Sequence, residues 1–271
     1  MDLTHTRKIV LESRRRLARR GLYLVPISLG LALLIWHLIA TLGGFPAWRL
    51  PGPALVWTRF LRALLDGRLL YHIAVTLSEV LAGLALGVIA ATTLGYILAK
   101  SQTIERFLSP YIVASQSIPI VAIAPLLVIW FGPGLVSKVL ICALIVFFPV
   151  LINTIVGLKS VPEELRDLMR SLQATSWQTF RYLEVPSALP VFLGGLRIGA
   201  TLAVIGAVVG EFVGADRGLG FLINIGRGQF DTALVFVAVF TLVGMALTLY
   251  GIVVMIEARL LSWQQRPEEL N

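Results

Sequence analysis

Long apolar stretches separated by short polar connections dominate the chain, and window hydropathy places six of them near residues 22–41, 73–98, 111–131, 136–157, 190–213 and 233–256. Each approaches the roughly 20 apolar residues that a helix needs to cross a hydrocarbon core about 30 Å thick. The pattern predicts an all-α integral membrane protein with about six transmembrane helices. One membrane domain, residues 22–257, then follows a basic segment, 1–21, and precedes a short tail, 258–271.

Two connections are long enough to carry structure of their own. After Leu50-Pro51-Gly52-Pro53, the residues Trp57, Phe60, Leu61, Leu64 and Leu65 recur at helical spacing, opposite Thr58, Arg59, Arg62 and Asp66. That predicts an amphipathic helix over 53–66, lying on the outer membrane surface and ending near Gly67. The second connection, 160–186, reads as two short helices. Ser160-x-x-Glu163 and Thr175-x-x-Gln178 have the form of capping boxes, and Pro186 and Pro190 are expected to stop the second helix before the next span.

Charge changes the picture by its distribution. The formal net charge of +8 would suit nucleic acid, but seven basic residues (Arg7, Lys8, Arg14, Arg15, Arg16, Arg19, Arg20) precede the first apolar stretch. That clustering fits a cytoplasmic flank under the positive-inside rule. With the N-terminus inside, fifteen Lys and Arg residues fall in cytoplasmic segments and seven outside, Lys138 among the latter. Both termini are therefore expected in the cytoplasm and no nucleic-acid partner is. The first stretch exceeds a signal-peptide core of roughly 7–15 residues, so it is read as a retained helix. The single Cys142 is read as a small hydrophobe.

Within the spans, Ser115-Gln116-Ser117-Ile118-Pro119 and then Pro125 predict a broken or kinked third helix. Lipid tolerates such a break only against protein or a wet cavity, which makes Ser115, Gln116 and Ser117 candidates for lining a solute pathway. Asn153 and Glu211 are further pathway candidates. Gly195, Gly199, Ala203, Gly206 and Gly210 share an arc of about 80° on a helical wheel, a small-residue groove of the kind that lets helices approach closely. Arg197 and Glu211 sit about 21 Å apart along that helix and cannot pair with one another. Glu79 and His37 are isolated acids and bases in their spans, expected to bond neighbouring helices or to sit near an interface.

The four lysines never follow a glycine, so the sequence holds no G-K-[ST] phosphate loop. It also shows no metal-ligand cluster and no nucleophile elbow. No cofactor and no catalytic residue are expected.

At the connection 158–190 the chain resembles the permease subunits of binding-protein-dependent ABC importers, in the branch handling sulfonates, taurine, nitrate and vitamins or their precursors. That family carries a cytoplasmic E-A-A-x-x-x-G segment, followed after nine residues by I-x-L-P, that docks on the ATPase. Here Asp167, Leu168, Met169 and Gln173 stand at the first motif, and Leu183, Val185 and Pro186 at the second, with only the proline identical. Leu50-Pro51-Gly52-Pro53, Ile118-Pro119, Ala124-Pro125-Leu126, Trp130-Phe131-Gly132, Phe148-Pro149, Asn153-Thr154, Ala188-Leu189-Pro190 and Gly218-Leu219-Gly220 also look like that branch in order and spacing.

The resemblance implies a type I ABC importer permease fold, multi-pass in a bacterial inner or plasma membrane and itself non-catalytic. It implies a second permease chain, a homodimer by preference, with ABC ATPase subunits below and a periplasmic or lipid-anchored solute-binding protein above. Glu163, Glu164, Asp167, Leu168, Met169, Gln173, Leu183, Val185 and Pro186 are the ATPase-coupling residues on this reading. The region around Gly210-Glu211-Phe212-Val213-Gly214 favours riboflavin or another vitamin or precursor as solute, with a sulfonate, taurine or nitrate behind. The alternative from another class is an ion-gradient-driven secondary transporter, which would need functional acids within the membrane.

Overall fold

The structure is a computed structural model that describes residues 24 and 26–263. The basic segment 1–21, the first residues of the first predicted span and the tail beyond 263 lie outside the described residues. Among those described, helices make up the regular structure: α1 (Pro26–Leu42), α2 (Pro53–Leu65), α3 (Arg68–Lys100), α4 (Gln102–Gln116), α5 (Ile120–Phe131), α6 (Leu135–Lys159), α7 (Glu163–Ser171), α8 (Ser176–Thr179), α9 (Val185–Gly214), α10 (Leu219–Gly228) and α11 (Thr232–Leu260). By length and composition α3, α6, the continuous run Ser176–Gly214 and α11 can each cross a membrane, and α4 with α5 qualifies as a bent pair. The first predicted span, 22–41, corresponds to α1, whose described residues reach about 25 Å at 1.5 Å per residue.

The chain divides into two compact units. The first comprises the described residues up to Arg62 with Gly226–Val237. Within it the Trp36 ring stacks on Phe236 at 5.2 Å, and its Nε1 donates to the Pro51 carbonyl at 3.1 Å. Asp231 closes the unit from two directions: one carboxylate oxygen accepts from Arg59 Nε at 2.8 Å and the other caps the start of α11 through Leu234 N–H at 3.0 Å. In α2 the stripe expected to be apolar leaves Trp57, Leu61 and Leu65 exposed, while Val56 and Ala63 are the buried positions. A helix presenting its large apolar residues away from protein is suited to lipid contact.

The second unit, Ala63–Ile225 with the chain from Ala238 onward, holds its core around α6. Ile141, Cys142, Val146, Val150 and Leu151 are fully buried there. Glycines from both α3 and α9 lie against α6. A Cβ on Gly206 of α9 would stand 2.8 Å from the Cys142 Cα, and one on Gly87 of α3 would stand 2.8 Å from the Ala143 carbonyl oxygen. The α3 row (Gly83, Gly87, Ala91, Gly95) repeats every four residues, a signal equal to the α9 groove that the sequence reading overlooked.

Polar contacts fix the direction of each helix. The C-terminal ends of α3 and α6 meet the hairpin end of α9 through Lys100 and Glu184, 2.5 Å apart, and through the contact of Gly157 with Ala188. Their N-terminal ends meet the other end of α9 around Glu79, Lys138 and Glu211. So α3 and α6 run parallel, and the intervening α4 and α5 must carry the chain back from one end to the other. The bent pair is thus a broken crossing.

Its geometry corrects the expected third span. The break expected there is present, two arms meeting at 93°, but the first arm, α4, begins at 102, well before the expected start at 111. The break falls at Ser117–Pro119, with Pro119 at the N-cap of α5, while Pro110 and Pro125 are accommodated inside their helices. Two other expectations also fail. Ser160 is the C-cap of α6, its hydroxyl donating to Gly157 O at 2.8 Å; Pro162 intervenes as N-cap of α7, so no capping box forms there. Nor do Pro186 and Pro190 end the second hairpin helix: a π-helical turn, Phe180–Glu184, joins α8 to α9 directly. Pro186 then occupies the first turn of α9, where the missing N–H is tolerated.

Candidate functional site

The connection between α6 and α9 forms a compact hairpin. Arg166 Nη2 reaches back to the Leu158 carbonyl at 2.8 Å, tying α7 to the end of α6. Lys159 pairs with Glu105 of α4 at 2.5 Å. Thr175 and Gln178 form the second expected capping box, with bonds of 2.8 and 3.3 Å that start α8. Between the helices, Gln173 takes the left-handed conformation with φ 52, the geometry a glycine at this motif position would supply without a Cβ penalty.

The predicted coupling residues divide by exposure. Glu163, Glu164, Asp167 and Leu168 are exposed on α7, and Asp167 pairs with Arg170 at 2.8 Å. Met169 is half-buried, whereas Leu165, Leu168 and Leu172 leave 42%, 52% and 67% of their surface uncovered along one side of the hairpin, with Trp177 nearby in sequence at 64%. Leu183 is buried, Pro186 half-buried and Val185 exposed. The motif therefore supplies both a free apolar face, mostly from α7, and an anchor in the membrane domain, from Leu183 onward.

At the opposite end, the Glu79 carboxylate accepts from Lys138 Nζ at 2.9 Å, and both side chains are almost wholly buried. Glu211 is fully buried beside them, accepting from Thr76 Oγ1 at 2.7 Å and from the Gly220 N–H. Thr76 Oγ1 in turn accepts from Leu219 N–H at 2.8 Å, and His72 Nδ1 from Gly218 N–H at 2.9 Å. Three consecutive amides at the start of α10 are thereby satisfied by α3 and α9. Gly218 has φ 110, and a Cβ there would overlap the Glu211 carboxylate. The Gly218-Leu219-Gly220 segment is a receptacle for that carboxylate. Just outside it, the Arg217 guanidinium holds the exposed Asp216 carboxyl below the usual carboxylate range.

The pathway candidates do not converge. Ser115 lines a cavity of about 600 Å³ with Leu86, Ala90, Tyr111, Phe147 and Phe148, while Gln116 and Ser117 are exposed at the break. Asn153 bonds Pro149 O at 2.8 Å and packs against Gly195. Glu211 stands beside Gly210, which packs on Lys138, and at 1.5 Å per residue Lys138 lies roughly 22 Å along α6 from Asn153. Glu211 thus holds the start of α10 in place. Gly195, Gly199, Gly206 and Gly210 all face α6, against Asn153, Val146 and Val150, Cys142 and Lys138 respectively.

Sequence reasoning missed the Glu79–Lys138 pair. Lys138, counted above among the external charges, is buried, and Arg197 pairs with Glu257 of α11 and lies 5.8 Å from the centre of the Tyr250 ring. The available signal was a lone acid in one apolar span and a lone base in another, which the cost of an unpaired charge in lipid should bring together.

With this geometry in view, similarity to known proteins is specific. The chain is 51% identical over 240 residues to the riboflavin transport system permease protein of Chloroflexus aurantiacus, covering 89% of this chain and 90% of that one. It is 38% identical over 234 residues to the formylaminopyrimidine transport permease protein of Halalkalibacterium halodurans, covering 86% and 93%. It is 33% identical over 236 residues to a putative aliphatic sulfonates transport permease protein of Bacillus subtilis, covering 86% and 85%. Its fold matches a chain of an inward-facing methionine ABC transporter with a TM-score of 0.63 at 19% identity, covering 72% and 97%. A family model described as binding-protein-dependent transport system inner membrane component matches residues 83–262. The chain belongs to that family and is the multi-pass, non-catalytic permease of an ABC importer, working with a separate ATPase and a solute-binding protein.

Proposed function

We propose that two copies of this chain enclose the translocation pathway of a riboflavin importer in a bacterial cell membrane, with an ATPase subunit docked under each α7–α8 hairpin and a periplasmic or lipid-anchored binding protein delivering solute. The observation that carries the solute assignment is the 51% identity to a riboflavin permease along nine-tenths of that protein. A vitamin precursor such as a formylaminopyrimidine is the nearest alternative, on the 38% relative, and a sulfonate lies further off. The comparisons offer no support for an ion-gradient mechanism, and the buried acids are engaged in internal bonds.

The docking assignment draws support from the uncovered Leu165, Leu168 and Leu172, since buried apolar anchors dominate interfaces. Leu168→Ala and Asp167→Lys should each reduce ATPase co-purification roughly ten-fold, about 1.4 kcal/mol, while Met169→Ala, half-buried, has the smaller effect. Arg62→Ala, outside the hairpin, is the control and should bind as wild type. Full ATPase association in both hairpin variants overturns the docking assignment. Uptake of radiolabelled riboflavin, competed by formylaminopyrimidine and by taurine, tests the solute; transport of either competitor in place of riboflavin reassigns it.

A further inference from the structure

The joint between the hairpin and α9 contains more than a connection needs. Phe180–Glu184 is a π-helical turn; such turns are rare and concentrate at functional positions because the wider hydrogen-bond register is unfavourable. Its last residue, Glu184, is 1% exposed, and its carboxylate accepts from Lys100 Nζ at the end of α3 at 2.5 Å. The other oxygen, Glu184 Oε2, has no hydrogen-bond partner among the described residues. A buried carboxylate that is only half satisfied is costly for stability alone, so its presence calls for another explanation.

The surroundings give one. Lys100 also lies 5.5 Å from the centre of the Tyr96 ring, and Tyr96 meets Phe180 edge-on at 5.4 Å, which in turn packs on Trp177 of α8 at 5.5 Å. Ion pair and ring cluster both run from α3 to the π turn. Beside the turn is a cavity of about 190 Å³ lined by Tyr96, Thr154, Leu158, Phe180, Ala188 and Leu189. A π turn can shift register into α geometry only where side chains have room to move, and this cavity supplies it.

The geometry points to Glu184 and Lys100 as positioning residues for energy coupling: the pair pins the π turn to the inner end of α3, so that displacement of the hairpin by the ATPase moves α9 and α3 as one body. The inference rests on the hairpin being the ATPase-docking element. Without the pair, the turn changes register into the cavity and absorbs the displacement.

The test uses the permease–ATPase complex and needs no solute. Nitroxide labels on Thr93→Cys and Ser176→Cys, both at exposed positions, report the α3–α8 distance by pulsed electron resonance, with Cys142 buried and inert and labelled permease kept in the minority. In wild type and Lys100→Arg the distance distribution should be the same before and after trapping with ATP and vanadate. In Glu184→Gln and Lys100→Met it should shift with nucleotide, and the exchange of both charges, Lys100→Glu with Glu184→Lys, should restore the invariant distance. ATPase co-purification should stay at wild-type level in all of these. Nucleotide-independent distributions in both single variants overturn the proposal and leave the docking assignment standing. Unchanged co-purification in Leu168→Ala and Asp167→Lys removes the docking assignment itself, independently of the distances.

Discussion

Single residues here carry constraints that sequence alone states only in part. Gln173 holds a left-handed φ where the family motif has glycine. That conformation costs a non-glycine residue about 1–2 kcal/mol, of which roughly 0.5–1 would be returned as extra unfolded-state entropy on changing to glycine. Gln173→Gly should therefore tighten the turn by at most about 1.5 kcal/mol, seen as slower amide exchange across residues 168–178, and Gln173→Val should accelerate it; identical exchange in all three would contradict the strain argument. The buried Glu79–Lys138 pair makes an asymmetric prediction, because Glu211 adds a second carboxylate beside it. Lys138→Met strands two acids and should cost about 3–5 kcal/mol; Glu79→Gln leaves Lys138 with Glu211 as a remaining counter-charge and should cost less. The double replacement should recover only part of the loss, because Glu211 stays without its counter-charge. Thermal unfolding in detergent ranks the three, and a Lys138→Met variant as stable as wild type would remove the pair's structural role.

The elements were legible where lipid imposes a simple rule and obscure where packing decides. Apolar length and small-residue periodicity showed α3, α6, α9 and α11, since spans must satisfy their own backbone and close helix pairs need small side chains. Neither rule says which helix meets which, and so neither could tell that α6 receives the glycine rows of both α3 and α9. Proline marked the break only in part: the 93° turn forms at Ser117–Pro119, within the segment expected to break, where Pro119 starts a new helix, while Pro110 and Pro125 remain inside helices. The candidate coupling site was readable as a motif and as a capping box at Thr175, but its Ser160 counterpart and the π turn depend on how the hairpin is anchored to α3. Gly206→Leu tests the packing at this scale. With the Cys142 backbone 2.8 Å from a Cβ, α6 and α9 must separate, and overpacking typically costs about 1–3 kcal/mol. The variant should run as a broadened peak in size-exclusion chromatography with a lowered Tm, whereas Gly244→Leu, at an open position on α11, should match wild type; equal behaviour of the two would deny the close contact.

For the whole molecule the direction of α4 and α5 decides the topology. If the bent pair were a re-entrant loop, Ser101 and Gly134 would lie on one side of the membrane, and the chain from α6 onward would be inverted. Against that stand contacts at both ends of the second unit. Lys100 and Lys159 meet Glu184 and Glu105 at the hairpin end, while Glu79, Lys138 and Glu211 gather at the other, so that α3 and α6 start at one face and finish at the opposite one. Neither arm alone is long enough to cross, at about 22 Å for α4 and 18 Å for α5, but together they return the chain across the bilayer. The charge distribution then orients the assembly, with Lys100 and Lys159 at the ends of α3 and α6, Arg106 in the first turns of α4, and Arg166, Arg170 and Arg181 in the hairpin connection. Reporter insertions at Ser101, Gly134, Ser160 and Ala215, together with a fusion after Trp263, should accordingly read cytoplasmic, external, cytoplasmic, external and cytoplasmic. Ser101 and Gly134 reading alike would make α4 and α5 re-entrant. An external reading at Ser160 would separate the α7–α8 hairpin from any cytoplasmic ATPase and end its coupling role.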